Sequence, residues 1–349
     1  MGLPASGDAF FDRFDEQRRL AAWLAGMTRD RVMSIVGPSG CGKTRLCEEV
    51  CAVSVGWPGG IIWVDVSGCG TASALGARVA WALGPLTTTE PTAHFTERPR
   101  CLLVLDGFEA EQPVGGLTVG RWLAAARSLA VLVTAARPLG VEDERVLPLG
   151  PLPETSAISL FRSRARSVGA APAAESTDRR DVRLLVRAVG HLPLAMELLA
   201  GWADRVSPVD MLASLRGARV RRGADPLDRA ASWVWGLLAR DAQKLLSGCS
   251  VFESAFGADD ARAVVASAAQ DGEVDGVLAE LVDRGVLEGR TWRGDGVFRL
   301  RMHPFLRAFA GHHLADAEGV RERLRQHRRA HPGRALALPP MGTPPHGAA

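Results

Sequence analysis

Near the start of the chain, Gly37-Pro38-Ser39-Gly40-Cys41-Gly42-Lys43-Thr44 combines three glycines, a lysine and a hydroxyl at a spacing suited to polyphosphate chemistry. The string fits G-x-x-x-x-G-K-[ST]. Glycine at 37, 40 and 42 permits backbone conformations closed to other residues, so successive N–H groups can point inward at phosphate oxygens. Lys43 would reach the β- and γ-phosphates as a mobile point charge, and the Thr44 hydroxyl would ligate Mg²⁺. Pro38, Ser39, Cys41 and Arg45 complete the loop and the first helical turn around the nucleotide. Of 42 basic residues only Lys43 and Lys244 are lysine, so a chain built on arginine keeps lysine where this chemistry uses one.

A Mg²⁺-nucleotide site also needs a carboxylate at the end of a neighbouring strand. Cys101-Leu102-Leu103-Val104-Leu105-Asp106 supplies one, which makes Asp106 the second metal-side residue beside Thr44. Hydrolysis needs a further group to orient water. The position directly after the aspartate is Gly107, so Glu109 is the nearest carboxylate for that task, and slow turnover is the expectation. Asp65, at the end of Ile61 to Val66, is a second acidic strand end that reads more readily as a cap. Thr134 and Arg137 follow another apolar run, Val131-Leu132-Val133, where an arginine could touch the γ-phosphate.

These residues must be positioned by strands and helices in alternation. Short apolar runs at Val32 to Val36, Ile61 to Val66, Cys101 to Leu105, Ala130 to Thr134 and Val146 to Leu149 read as strands of a parallel sheet covered by helices on both faces. If the sheet has the order usual for ATPases with such a loop, the Val131 strand lies between the phosphate-loop strand and the Asp106 strand, with ligand at the carboxyl ends. The expected organisation is a lead-in helix over 1–30, an α/β phosphate-loop unit over 31–150, an all-α helical domain over 151–225 and a winged-helix domain over 226–315. A basic, Pro- and Gly-rich tail over 316–349 reads as disordered.

The 349 residues are 47% hydrophobic and 23% charged, enough for two or three domains with ordinary cores. A net charge of +3 excludes whole-molecule attraction to nucleic acid as an argument. The sequence has no long apolar run and no signal-peptide layout, so a cytoplasmic protein that does not enter a membrane is expected. The six cysteines form no CxxC pair and read as reduced, buried thiols. Cys41, inside the phosphate loop, has the position at which a depressed pKa would make a thiol oxidisable.

In order along the chain, GPSGCGKTRL, CLLVLDGFE, VLVTAARPLGV, LPLGPLPETSAISLF, GHLPLAMELLA and FRLRMHPFLRAFA resemble the STAND class of signal-transduction ATPases. Within AAA+ proteins this is the NB-ARC-like branch, and the likeness is to its bacterial regulator forms over about residues 10–315. The resemblance implies a nucleotide held between an ATPase domain, a helical domain and a winged helix. It implies that Pro193 packs against adenine and that His303 reaches the ADP β-phosphate and locks a closed state. The chain departs from the family in four places: one residue is added between Gly190 and Pro193, Arg137 lies three rather than two residues after Thr134, Pro304 replaces the usual aspartate, and Phe11-Asp12-Arg13-Phe14 only loosely matches the family's Gly-Arg-Glu segment.

The leading functional expectation is an ATP/ADP-binding switch. ADP would close the chain, and exchange for ATP would open it for a protein partner or self-association. An AAA+ ATPase that binds DNA through a winged helix is the alternative, drawn from the arginines at 216, 219, 221 and 222 and the basic tail. Glu273, Asp275, Glu280 and Asp283 on the recognition segment argue against it. A steady ATPase or phosphotransferase is the third reading, weakened by Gly107.

Overall fold

The structure, a computed structural model, describes residues 10–26, 30–83, 91–108, 113–169, 179–217, 225–265, 271–291 and 297–330. Five parallel strands form one sheet: β1 (Val32–Val36), β2 (Ile61–Asp65), β3 (Cys101–Phe108), β4 (Leu129–Ala135) and β5 (Glu144–Pro148), in the order β2-β3-β4-β1-β5. β4 lies between β1 and β3, as the sequence leads one to expect, so the phosphate-loop strand and the Asp106 strand flank one common neighbour.

Strand periodicity explains why helices cover both faces, because alternate residues point to opposite sides. Leu102 and Val104 enter one core with Met33, Ile35 and Leu132. Leu103 and Leu105 enter the other with Val32, Val131 and Val133. Helices α1 (Phe14–Leu24) and α2 (Lys43–Ala52) supply Leu20, Trp23, Leu46 and Cys47 to the first core. The opposite face carries α3 (Ala72–Leu83), α4 (Thr92–Glu97) and α5 (Pro113–Ala125), which supply Leu75, Phe95 and Trp122.

After β5 the chain is helical. α6 (Glu154–Ser167), α7 (Arg179–Ala188), α8 (Pro193–Ala200) and α9 (Pro208–Gly217) form a bundle in which α6 packs on α8 and α7 on α9. Pro193 sits at the first turn of α8, where its missing N–H costs nothing. α10 (Pro226–Leu237) starts with Asp225 accepting from the Leu227 N–H at 2.8 Å, and it packs back on α8.

The chain continues through α11 (Arg240–Cys249), α12 (Ala258–Val264) and α13 (Asp271–Asp283). An antiparallel ribbon, β6 (Glu288–Thr291) with β7 (Phe298–Arg301), precedes α14 (Pro304–Gly311). A further bridge joins Phe256 to Leu300. The first core runs continuously from the sheet through the bundle into these elements.

The tail departs from expectation. Residues after 316 read as disordered on composition, yet α15 (Ala317–Ala330) is a helix packed against α12. The reason is a pair four residues apart, Val320 and Leu324, whose shared face is buried while the arginines around it hide the pattern in the composition. Residues 331–349 lie outside the described residues, as do Arg219, Arg221 and Arg222. No helix among the described residues is long and apolar enough to cross a membrane.

Candidate nucleotide-binding site

The loop between β1 and α2 has the backbone that its glycines allow. Gly40 (φ +73°) and Gly42 (φ +97°) lie in the left-handed region, and Gly42 is the residue before α2. Gly37 serves another purpose: a Cβ there would come within 2.0 Å of the Leu149 carbonyl oxygen, so glycine lets β5 pass close behind the loop. The α2 N-terminus brings its unpaired N–H groups and partial positive charge to the same point.

Lys43 folds onto the loop itself, with Nζ 2.8 Å from the carbonyl oxygens of both Gly37 and Pro38. Burial lowers its pKa, although nearby Cys41 and Asp106 counter that. Carbonyl oxygens are weaker partners for an ammonium than phosphate, so this side chain is held in reserve beside the site. Arg13 braces the loop from the N-terminal side, donating to the carbonyls of Gly150 at 2.6 Å and Cys41 at 3.3 Å.

Asp106 is wholly buried and uses both carboxylate oxygens. Oδ1 accepts from the Thr44 and Thr134 hydroxyls, each at 2.7 Å. Oδ2 accepts from Arg301 Nη2 at 3.1 Å, across 195 residues of sequence. The same Nη2 lies 3.2 Å from Asp65 Oδ2. Asp65 also accepts from the Ser67 N–H at 3.0 Å, so it is both a cap on its strand end and an ion-pair partner. The next residue along β3, Gly107, has φ +77° and donates its N–H to Thr134 Oγ1 at 2.8 Å. A side chain at 107 would be strained by that φ and would meet Ser67 Cβ at 3.1 Å, so this backbone has no place for a water-orienting glutamate directly after Asp106.

His303 precedes α14, where its Nδ1 accepts from the Phe305 N–H at 3.1 Å. That bond assigns the ring proton to Nε2 and leaves a donor available. Burial pushes the imidazole down to about 4, with Arg301 and Lys43 acting in the same sense against Glu288 and Asp106.

A cavity of about 980 Å³ joins these groups. Its lining contains Ser39, Gly40, Cys41, Gly42, Lys43, Thr44, Arg45, Asp106, Pro193 and His303, so most of the sequence-derived site residues share one space. The volume is at the upper end of small-molecule sites and accommodates a nucleotide. Gly37 and Pro38 form the loop behind it. Arg137 is exposed beyond β4 and is not part of the lining, and Glu109 lies outside the described residues.

The Cys41 thiol is buried, and that burial raises its pKa. Lys43 and Arg13 offset only part of the shift, so the depressed pKa that its position raised is corrected to an elevated one. The free cysteines at 41, 47, 51, 101 and 249 are buried and Cys69 is half-buried.

Sequence reasoning missed Arg301, although a signal was present. Residues 299, 301 and 303 alternate along an extended segment, so one that aims His303 at the site aims Arg301 the same way. Phe10, Phe11, Leu160, Arg164 and Glu197 also line the cavity. None carries a motif of its own, because each is brought there by packing.

The residues present fit a Mg²⁺-nucleotide. The loop offers a left-handed glycine cradle and a poised lysine, and the Thr44 hydroxyl and Asp106 carboxylate are already in contact at 2.7 Å. In known Mg²⁺ sites of this kind a hydroxyl and a carboxylate act with phosphate oxygens and water.

No family model matches the sequence. Uncharacterized proteins of Mycobacterium bovis and Mycobacterium tuberculosis are 29% identical over 321 residues, an alignment covering 85% of this chain and 80% of each relative. Among solved structures, a STAND protein with a tetratricopeptide repeat sensor from Pyrococcus horikoshii aligns with a TM-score of 0.60 at 17% identity. The alignment covers 94% of this chain but 46% of that one, so the chain spans about half the length of that structure. The chain thus has the fold of the aligned part of a P-loop ATPase. The Aeropyrum pernix ORC1 protein in complex with DNA aligns with a TM-score of 0.41 at 20% identity, covering 90% of this chain and 95% of that one.

Proposed function

We propose that this chain is a nucleotide-dependent molecular switch of the STAND type, in which ADP stabilises a closed form and ATP with Mg²⁺ an open one. The observation that carries this reading is the reach of the C-terminal elements into the phosphate-loop site. Arg301 touches Asp106 and His303 lines the same cavity as Lys43, so the ligand and the closed arrangement share side chains. A ligand shifts such an equilibrium only through different affinities for the two forms, and groups present in one form alone create that difference.

In this reading the elements from α10 to α14 act as a winged helix, and α6 to α9 as the helical domain. The bundle side is joined to the loop by the Leu194 N–H, which donates to the Gly40 carbonyl at 3.1 Å, and Pro193 beside it packs over Gly42. His303 Nε2–H would bind a β-phosphate oxygen. Lys43 would exchange its loop carbonyls for phosphate. Because Gly107 excludes a water-orienting carboxylate at its own position, hydrolysis is slow and nucleotide exchange sets the state. The Pyrococcus protein is described as a signal-transduction ATPase with a repeat sensor. A signal input and a protein partner or self-association as output follow here by analogy with it.

DNA binding fits less well, because the exposed face of α13 carries Glu273, Asp275 and Asp283, charges that repel phosphate.

The test is to denature the purified chain and identify the released nucleotide by chromatography, then to measure ADP affinity for the wild type and His303→Ala. The reading expects ADP to co-purify and the variant to bind it more weakly. A site without nucleotide that also fails to take up added ADP defeats the proposal, and unchanged affinity in His303→Ala removes the histidine lock.

A further inference from the structure

We propose that Arg301 is a tethered cation that competes with Mg²⁺ for Asp106, so that the closed form selects metal-free nucleotide and Mg²⁺ itself drives release of β7. The proposal rests on the switch reading above and adds to it the residue that makes the site sensitive to the metal.

Asp106 is a buried carboxylate, and a buried charge without a partner is strongly disfavoured. Hydroxyls of Thr44 and Thr134 satisfy one oxygen but bring no charge. The positive charge comes from the Arg301 guanidinium on the other oxygen. Asp65 holds the same nitrogen from the end of β2, so one Nη2 ties the ribbon to two adjacent strand ends of the sheet. The side chain is 18% exposed, which keeps the pair largely out of water. Burial acts to lower its pKa. Asp65 and Asp106, with Glu288 and Glu48 behind them, outweigh that and keep the guanidinium charged.

The metal-side pair of a Mg²⁺-nucleotide is Thr44 and Asp106. A Mg²⁺ ion coordinates oxygen at about 2.0–2.1 Å and tolerates little distortion of its shell. On Asp106 it would stand a few ångströms from a guanidinium bound to the same carboxylate, within the range where like charges repel by several times thermal energy at protein-surface dielectric. Both cations cannot be held well at once. Either Arg301 keeps Asp106 and the ribbon stays down, or Mg²⁺ takes the carboxylate and Arg301 retains only Asp65.

The other polar links across this face are weaker. Arg78 pairs with Glu253 at 2.7 Å, but Glu253 is 61% exposed. Arg307 donates to the Glu253 carbonyl, which belongs to its own side of the interface. Loss of the Arg301–Asp106 contact therefore removes one of the two largely buried ion pairs that Arg301 makes with the sheet, the other being with Asp65. Linkage is reciprocal: as much as Mg²⁺ weakens closure, closure weakens Mg²⁺ binding.

The experiment is calorimetric titration of the full chain with ADP, in MgCl₂ and in EDTA, for the wild type, Arg301→Gln, Asp65→Asn and Glu253→Gln. In the wild type Mg²⁺ leaves ADP affinity unchanged or lowers it. In Arg301→Gln, Mg²⁺ raises ADP affinity on the order of tenfold, inside the span usual for coupled sites. Asp65→Asn keeps Thr44 and Asp106 and shifts the same way by a smaller factor, which carries the test if circular dichroism finds Arg301→Gln unfolded. Glu253→Gln cuts only the exposed bridge and behaves as the wild type. Identical Mg²⁺ dependence in the wild type, Arg301→Gln and Asp65→Asn overturns the competition while leaving the switch intact. Failure of the wild type to bind ADP under either condition overturns the switch and this inference together.

Discussion

At the scale of single residues, the site is governed by how a few buried polar groups divide their partners. Asp106 gives one oxygen to two hydroxyls and the other to an arginine, which leaves Thr44 and Lys43 bonded to protein atoms that phosphate and metal would replace. His303 adds a pH dependence of definite sign. Its imidazole, pushed down to about 4 in the folded chain, titrates at about 6.5 when unfolded. As pH falls below about 6.5 the unfolded chain takes up the proton first, so stability is lost between there and about 4. For the nucleotide-free protein the loss between pH 7 and about pH 5 is at most about 2 kcal/mol, since the ring is only partly screened from solvent. His303→Asn keeps a good helix cap and removes the titration. Urea unfolding at the two pH values should therefore find the wild type losing more stability than the variant, and equal losses would contradict the assignment.

At the scale of elements, the helices after β5 and the C-terminal elements are joined more tightly to each other than β7 is to the sheet. Arg284, at the end of α13, donates to the Gly201 carbonyl at 2.8 Å, pairs with Asp204 at 2.5 Å and lies over the Trp202 ring at 4.9 Å. Gly201 is needed for this approach, because a Cβ there would stand 2.2 Å from the Arg284 carbonyl oxygen. Its φ of −58° suits any residue, so the constraint is contact alone. Gly201→Ala should cost about 1–3 kcal/mol through forced displacement of backbone from backbone. A denaturant midpoint equal to that of the wild type would mean the junction yields freely.

The sheet and loop were legible in the sequence, because continuous apolar strands and the G-x-x-x-x-G-K-T string are local patterns. The order that puts β4 between β1 and β3 came instead from the arrangement usual for ATPases with such a loop. α15 was misread because Val320 and Leu324 are a thin stripe in a segment dominated by arginine. Arg301 was overlooked for a different reason. Its partners Asp65 and Asp106 lie on another unit, so the alternation of 299, 301 and 303 gives the side on which Arg301 lies but not the carboxylates it meets. The same holds for the phenylalanines at 10 and 11, which reach the cavity through packing.

At the scale of the whole molecule, the proposed switch makes this structure one of two arrangements. The phosphate loop holds the ligand, the bundle contacts the loop through the start of α8, and β7 with His303 covers the metal side. Opening would carry the bundle and the C-terminal elements together or separate them at β7, and the buried Arg284 junction favours motion as a connected body. The most direct test is small-angle X-ray scattering of the full chain, first with ADP in EDTA and then with Mg²⁺ and a non-hydrolysable ATP analogue, nucleotide occupancy being checked in both samples. A compact particle is expected with ADP and a larger radius of gyration with the Mg²⁺-bound analogue. The same radius in both, with both sites filled, would contradict it.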